Sequence, residues 1–443
     1  MTGLALGIAM FAGMLALMAL RVPIAISMFI PGALGYLSIA GEAPFLNLLK
    51  GIAYARLSNY DLSVIPLFLL MGAFATQGGL SRSLFAFANA LIGHVRGGVA
   101  MASVLACAAF GTVCGSSVAT CATVTQVALP EMRRHGYSGR LATASMAAGG
   151  TLGILIPPSV VLIVYAILAE QNIAKLFAAA MLPGILGAAL YLGAIAIYVR
   201  LYPSHGPAQP RHSAAELLRA AKEVWPIGAI FLVVFGGIYG GLFTPTEGAA
   251  VGAASTFLSA LLKGEMGLEA FKRSFLSTAE TAGFVFMIFL GADMLNSALA
   301  LSQMPMRIAD AVGALELHPV AVIASIMLLY ILLSSVMDEL AMIVLTIPII
   351  FPLVIELDIY GLGTTEKSIW FGILVLSVVE IGLIAPPVGL NVYVVNSLAP
   401  DVPMLETYKG VAAFLVADVV RVALVLAFPF LSLWLVRLIW AAG

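Results

Sequence analysis

Residues Gly111–Tyr165 read GTVCGSSVATCATVTQVALPEMRRHGYSGRLATASMAAGGTLGILIPPSVVLIVY. The stretch is apolar enough for a bilayer, yet it is broken twice. GSSVAT (Gly115–Thr120) and GGTLGILIPPS (Gly149–Ser159) put glycines, small hydroxyl residues and a proline pair where an ordinary spanning helix carries Leu, Ile and Phe. Irregular backbone at membrane depth persists only where it is buried in protein or lines a wet cavity, because hydrocarbon cannot satisfy freed N–H and C=O groups. Two breaks so close together therefore point to a site.

The same pattern recurs further along the chain. SSVMDELAMIVLTIP (Ser334–Pro348) overlays SSVATCATVTQVALP (Ser116–Pro130), with Ser-Ser-Val and the final proline in register. APPVGLNVYVVNSLA, with Pro386 and Pro387, overlays IPPSVVLIVYAILAE, with Pro157 and Pro158. Upstream, LSNYDLSVIPLFLLMGA from Leu57 pairs with LSTAETAGFVFMIFLGA from Leu276, which matches Gly72 with Gly291. The chain reads as one unit written twice, over 1–210 and 211–443.

Composition agrees with a membrane setting. Of 443 residues 62% are hydrophobic and 10% charged, and the mean hydropathy is +1.09, far from a soluble domain. Cys107, Cys114 and Cys121 lie in apolar sequence without His or carboxylate partners at ligand spacing, and read as helix-packing residues. The apolar N-terminal run has no basic flank and continues past Arg21 into a second one, which reads as a span and not a cleavable leader.

In chain order we expect crossings near 3–20, 22–40 and 62–78, with amphipathic interfacial arms over Gly41–Asp61 and Ser81–Gly98. A re-entrant hairpin over 99–132 turns at Gly115–Val118, a broken crossing covers 141–168, and another crossing runs over 175–200. After a Pro- and His-containing linker come crossings near 225–242 and 246–262, an arm, a crossing near 280–300 and an arm from Gln303 to Pro319. A hairpin over 320–355, a broken crossing over 369–399 and a last span over 411–437 follow. Each half then has five crossings, one hairpin and one broken helix, and the odd count inverts the second half relative to the first. The expected fold is an all-α polytopic membrane protein built as an inverted repeat. With both termini outside, the cytoplasmic segments collect most Lys and Arg, leaving Lys50, Arg56, Lys175, Arg307, Lys367 and Arg437 external. The external rim also holds Asp310, Glu316, Glu356, Asp358 and Glu366, a mixed and mostly acidic set read as a docking surface.

Hairpin tips and helix breaks aim loose carbonyls and hydroxyls at one point, and neutral oxygens suit a hard cation such as sodium. Candidate cation ligands are Ser116, Ser117, Thr120, Gly150, Thr151 and Gly153 in the first copy, and Ser334, Ser335, Asp338, Gly382 and Ala385 in the second. Asp338 and its neighbour Glu339 are carboxylates at membrane depth, where ionisable groups are costly and functional by default. Glu247 and Glu380 are similar cases, each placed to cap a helix or pair with a buried donor. Ser159, Asn391 and Asn396, beside the proline pairs, are candidates for contact with a polar substrate.

At GSSVAT, GGTLGILIPPS, GLFTPTEGAAVGA (Gly241–Ala253) and EIGLIAPPVGLNVYV (Glu380–Val394) the chain resembles the large membrane subunit of tripartite ATP-independent periplasmic (TRAP) transporters, and the likeness spans essentially its whole length. The resemblance implies a secondary importer of small organic acids with an elevator-type moving domain. It implies sodium as coupling ion and no organic cofactor. The location implied is the bacterial inner membrane, and the implied partners are a small four-helix membrane subunit on a separate chain and a periplasmic substrate-binding protein, with no nucleic acid. A carrier of the same architecture working without a binding protein is the nearest rival. An ATP-driven pump lacks its Gly-x-x-x-x-Gly-Lys-[Ser/Thr] loop. An intramembrane enzyme, resting on Asp338, Glu339 and Glu380, lacks any His-x-x-x-His pair or Gly-x-Ser-x-Gly elbow.

Overall fold

A computed structural model describes residues 3–314 and 317–440, and among them all regular structure is helical. The chain opens with the apolar helices α1 (Gly3–Ala19) and α2 (Ile24–Ala40), followed by α3 (Glu42–Leu57), α4 (Val64–Gln77) and α5 (Leu80–Ile92), with α3 and α5 at the places expected for arms. α3 buries none of its residues. The hairpin is α6 (Gly98–Cys114) and α7 (Ser117–Arg134). The broken crossing is α8 (Gly139–Leu155) and α9 (Val160–Leu168), bent by 41° at Pro157 and Pro158. α10 (Ile173–Leu201) closes the first copy.

The second copy has α11 (Ala214–Tyr239), α12 (Pro245–Leu262), α13 (Leu268–Leu301) and the short α14 (Met304–Gly313). Its hairpin is α15 (Pro319–Ser334) and α16 (Glu339–Glu356), its broken crossing α17 (Thr364–Ile384) and α18 (Leu390–Leu398), and it ends in α19 (Met404–Ala427) and α20 (Phe430–Trp440). Pro386 and Pro387 lie in the gap between α17 and α18, as Pro157 and Pro158 lie between α8 and α9. Among the described residues, seven helices are long and apolar enough to cross a membrane, or eight if the bent pair counts as one span. α1 and α2, at 17 residues each, sit at the short end of the spanning range of about 17–25.

Three boundaries differ from the sequence expectation. The expected arm and crossing before residue 300 are one 34-residue helix, α13. In the first copy Asn59 accepts a hydrogen bond from the Asp61 amide and opens a 3₁₀ turn between arm and crossing. The matching residues of the second copy, Thr278, Ala279 and Glu280, carry no breaker, and the Thr278 hydroxyl donates back to the Ser274 carbonyl at 2.7 Å. The last span is two helices, because Pro429 has no N–H to give and Phe428 before it leaves the helical region. α11 starts well before residue 225, nucleated by a capping box in which Ser213 and Glu216 satisfy each other's amides.

The centre of the molecule is the pair α8 and α17, one from each copy and in contact with each other. Every residue of α17 from Lys367 to Ile384 is buried, and α8 is buried from Leu141 to Leu155. Small residues let α8 come this close to its neighbours, the packing that membrane helices use in place of a hydrophobic driving force. The hairpins exchange partners around this centre: α7 of the first lies on α18 of the second copy, and α16 of the second lies on α9 of the first. α2 runs along α13 and α4 along α12, forming a second layer to one side.

Candidate functional site

The first hairpin turns at Gly115, whose φ of +66° is a left-handed conformation open to glycine at little cost. A Cβ there would also stand 2.7 Å from the Pro158 carbonyl, so the hairpin tip and the helix break touch backbone to backbone. The Val160 amide donates to the Gly115 carbonyl across that contact at 3.4 Å. Ser116 caps α7 by accepting from the Ala119 amide, and Ser159 caps α9 by accepting from the Leu162 amide at 3.2 Å. Two nominated residues thus hold helix ends at the same point.

Asn391, on the first turn of α18, enters this cluster from the other copy. Its Nδ2 donates to the Ser117 hydroxyl at 2.7 Å and to the Ala147 carbonyl at 3.1 Å. Its Oδ1 and the Thr120 hydroxyl oxygen are buried with no hydrogen-bond partner among the described residues. A Cβ on Gly153 would lie 2.6 Å from that Thr120 oxygen and 3.1 Å from the Ser116 carbonyl, and one on Gly150 would lie 3.2 Å from Asn391 Nδ2. Ser116, Ser117, Thr120, Gly150, Gly153 and Asn391 therefore form one cluster. Its unpartnered oxygens fit a small hard cation, since a buried acceptor without a donor is costly and a metal ion satisfies it.

Thr151 is turned elsewhere. Its hydroxyl donates to the Ala148 carbonyl and meets the Tyr191 hydroxyl at 3.1 Å. Tyr191 donates to the Asp418 carboxylate at 2.8 Å, Asp418 pairs with Arg421 at 2.9 Å, and Arg421 pairs with Glu380. Asp418, Arg421 and Glu380 are all fully buried. Glu380 is the buried-donor partner that the sequence left open, but Asp418 and Tyr191 escaped attention. The available signal was Asp418-x-x-Arg421, two charges one turn apart inside an apolar span.

At the second tip, Asp338 is the N-cap of α16 and accepts from the Leu340 and Ala341 amides at 3.1 and 3.3 Å. Ser334 and Ser335 donate back into the last turn of α15. Gly382 lies against Ser334, where a Cβ would collide with the hydroxyl, and Ala385 ends α17. Glu339 is buried with one carboxylate oxygen unpartnered. This tip is more open than the first, since Val336 and Val388 are 66% and 47% exposed. Asn396 is not at either tip, and its Nδ2 closes the end of α18 by donating to the Val402 carbonyl at 2.8 Å. Glu247 caps α12 in a capping box with Thr244.

A family profile described as the DctM component of the tripartite ATP-independent periplasmic transporter matches residues 11–431. The chain belongs to the DctM family of TRAP transporter subunits. A C4-dicarboxylate TRAP transporter large permease protein of Pseudomonas aeruginosa is 37% identical over 85% of this chain and 86% of its own length. Its counterpart in Vibrio cholerae is 30% identical over 97% of each. An isethionate TRAP transporter permease protein of Oleidesulfovibrio alaskensis is 30% identical over 85% of this chain but only 58% of its own length. The crystal structure of the YdaH transporter of Alcanivorax borkumensis superposes with a TM-score of 0.61 at 15% identity, covering 87% of this chain and 89% of that one, which shows a shared fold. As a DctM-family permease, the chain is a multi-pass transporter component and not an enzyme.

Proposed function

We propose that this DctM-family subunit imports small organic acids coupled to sodium, receiving them from a periplasmic binding protein and working beside a small membrane subunit. The observation that supports the coupling is the first hairpin tip, where Asn391 donates to Ser117 and the buried Thr120 hydroxyl and Asn391 Oδ1 have no hydrogen-bond partner among the described residues. The substrate class is supported by relatives named for C4-dicarboxylate transport. The two copies form an inverted repeat, a reading supported by the exchange of hairpins between α9 and α18. Both termini face the periplasm and the first hairpin enters from the cytoplasm, by the distribution of Lys and Arg. The binding protein docks on the external rim near Arg307, Asp310, Glu356 and Asp358; Glu316 lies outside the described residues. Uptake into proteoliposomes holding both membrane subunits, with candidate binding proteins added in turn and the sodium gradient on or off, tests the whole reading. Sodium-driven uptake that requires one binding protein is the expected result. Uptake indifferent to sodium would remove the coupling, and uptake without any binding protein would favour the independent carrier.

A further inference from the structure

Four helices, α8 and α10 of the first half and α17 and α19 of the second, each touch the other three. One chain of polar groups runs through the point where they meet, from Thr151 through Tyr191 and Asp418 to Arg421 and Glu380. All five side chains are fully buried. α10 makes room for the guanidinium at Gly187, where a Cβ would stand 2.5 Å from Arg421 Nη1 and 3.2 Å from Leu152. Arg421 Nη2 also donates to the Ser377 carbonyl, one turn before Glu380, at 3.5 Å.

Such a network is a poor source of stability. Replacing buried ions by well-packed neutral groups of similar volume is often neutral or stabilising, because desolvation offsets their attraction. Here two carboxylates share one guanidinium, whose Nε and Nη1 have no hydrogen-bond partner among the described residues, and a partly satisfied buried network is costlier still. What charge-assisted bonds add is direction: they fix the rotation and height of the helices that carry them. Both hairpin tips depend on that arrangement. Thr151 lies beside Gly150 and two residues from Gly153, and Glu380 lies two residues before Gly382. At these glycines the tips pack without slack, since a Cβ would stand 2.6 Å from Thr120 Oγ1 at Gly153 and would collide with Ser334 at Gly382. Residues on one turn of a helix move together, so a slip of about 1.5 Å, one residue's rise, at the network is the same slip at the tip.

We propose that Tyr191, Glu380, Asp418 and Arg421 are positioning residues for both tips, holding α8 and α17 at the rotation and height that bring Gly150, Gly153 and Gly382 against the tip oxygens. The proposal rests on the sodium reading above and extends it to α10 and α19, which supply none of the candidate ligands. Thr151 then serves as the link between the network and the first cluster.

The test purifies the full chain in detergent and follows its thermal midpoint as sodium chloride replaces choline chloride at constant ionic strength. Sodium bound only by the folded protein raises the midpoint, so the titration reads the tips and the sodium-free midpoint reads the fold. Tyr191→Phe keeps every charge and removes one hydroxyl. A triple variant, Glu380→Gln with Asp418→Asn and Arg421→Met, removes the charges together and leaves no buried ion alone. Each should raise the half-saturating sodium concentration several-fold. A titration unchanged in either folded variant overturns the inference, and a lowered sodium-free midpoint beside an unchanged titration marks the network as structural only. If the triple variant does not fold, the inference stands or falls with Tyr191→Phe. An unmodified chain that sodium stabilises no better than choline overturns the sodium reading itself, whereas a responsive unmodified chain matched by its variants overturns only the positioning.

Discussion

Asn391 is the residue on which the first hairpin tip turns, because its amide ties α18 to both the hairpin (Ser117) and the broken helix (Ala147) of the first half. Replacing it with Ala removes a buried donor to Ser117 and Ala147, at a cost of about 1–3 kcal/mol from the groups left unsatisfied. Asn391→Ala and Ser117→Ala should each weaken the sodium dependence of uptake more than they lower the amount of folded protein, and a sodium titration normalised to expression checks this. Ser335→Ala, whose hydroxyl bonds only within its own helix, should shift the sodium titration less than Ser117→Ala. Lys367 needs a different expectation. Read from sequence it is an external rim charge, but it is only 7% exposed, and its Nζ donates to the Ile355 and Leu357 carbonyls at the end of α16, at 2.8 and 2.5 Å. Lys367→Met should lower the thermal midpoint in detergent through the loss of charge-assisted bonds worth roughly 1.5–3 kcal/mol each, without altering affinity for a binding protein. That Ser117 and Thr120 sit at the hairpin tip was legible because a hydroxyl run stands out against apolar sequence, whereas Asn391, read as a substrate contact, bonds Ser117 instead. The direction of Thr151 and the pairing of Glu380 were not, since each depends on which face of a helix meets α10 or α19, and those contacts join residues tens to hundreds of positions apart.

At the level of helices, breaks were readable wherever a proline or glycine marks them, and continuity was obscure where no residue marks it. Proline pairs and Gly115 mark both broken crossings and the first hairpin to within a few residues. The continuity of α13 was hidden because amphipathic arm sequence gives way to apolar sequence with no change in helical geometry, and hydropathy reads that change as a boundary. Ala279→Pro would restore a break where the first copy has one. It should cost about 3 kcal/mol or more. Thermal unfolding in detergent would register the loss, and a wild-type midpoint would show that the helix is already interrupted there.

Across the whole molecule, the hairpins pack around the broken helices with α8 and α17 at the centre, while α2, α4, α12 and α13 form a layer against one side of this group. An elevator mechanism requires the first group to travel as one body against the second. A cross-link within the first group, such as one joining a cysteine at Ser116 to one at Ser159, should leave transport intact. One joining the hairpin at Ala119 to α13 at Thr281, both lining the same cavity, should stop it. Uptake that persists through the second cross-link would rule out relative movement at that contact.

The exchange of hairpins also bears on how the chain is made. Because α7 rests on α18 and α9 on α16, the first half leaves the ribosome without the surfaces that complete its core, and its break-lined faces stay uncovered until about 180 further residues have been inserted. The first half should therefore be a client of membrane quality control for much of its synthesis. Cut between Arg211 and His212, in the exposed linker before α11, either half expressed alone should be degraded. The two halves co-expressed should rescue each other and restore uptake, whereas a first half that accumulates stably by itself would mean that its core closes without the second.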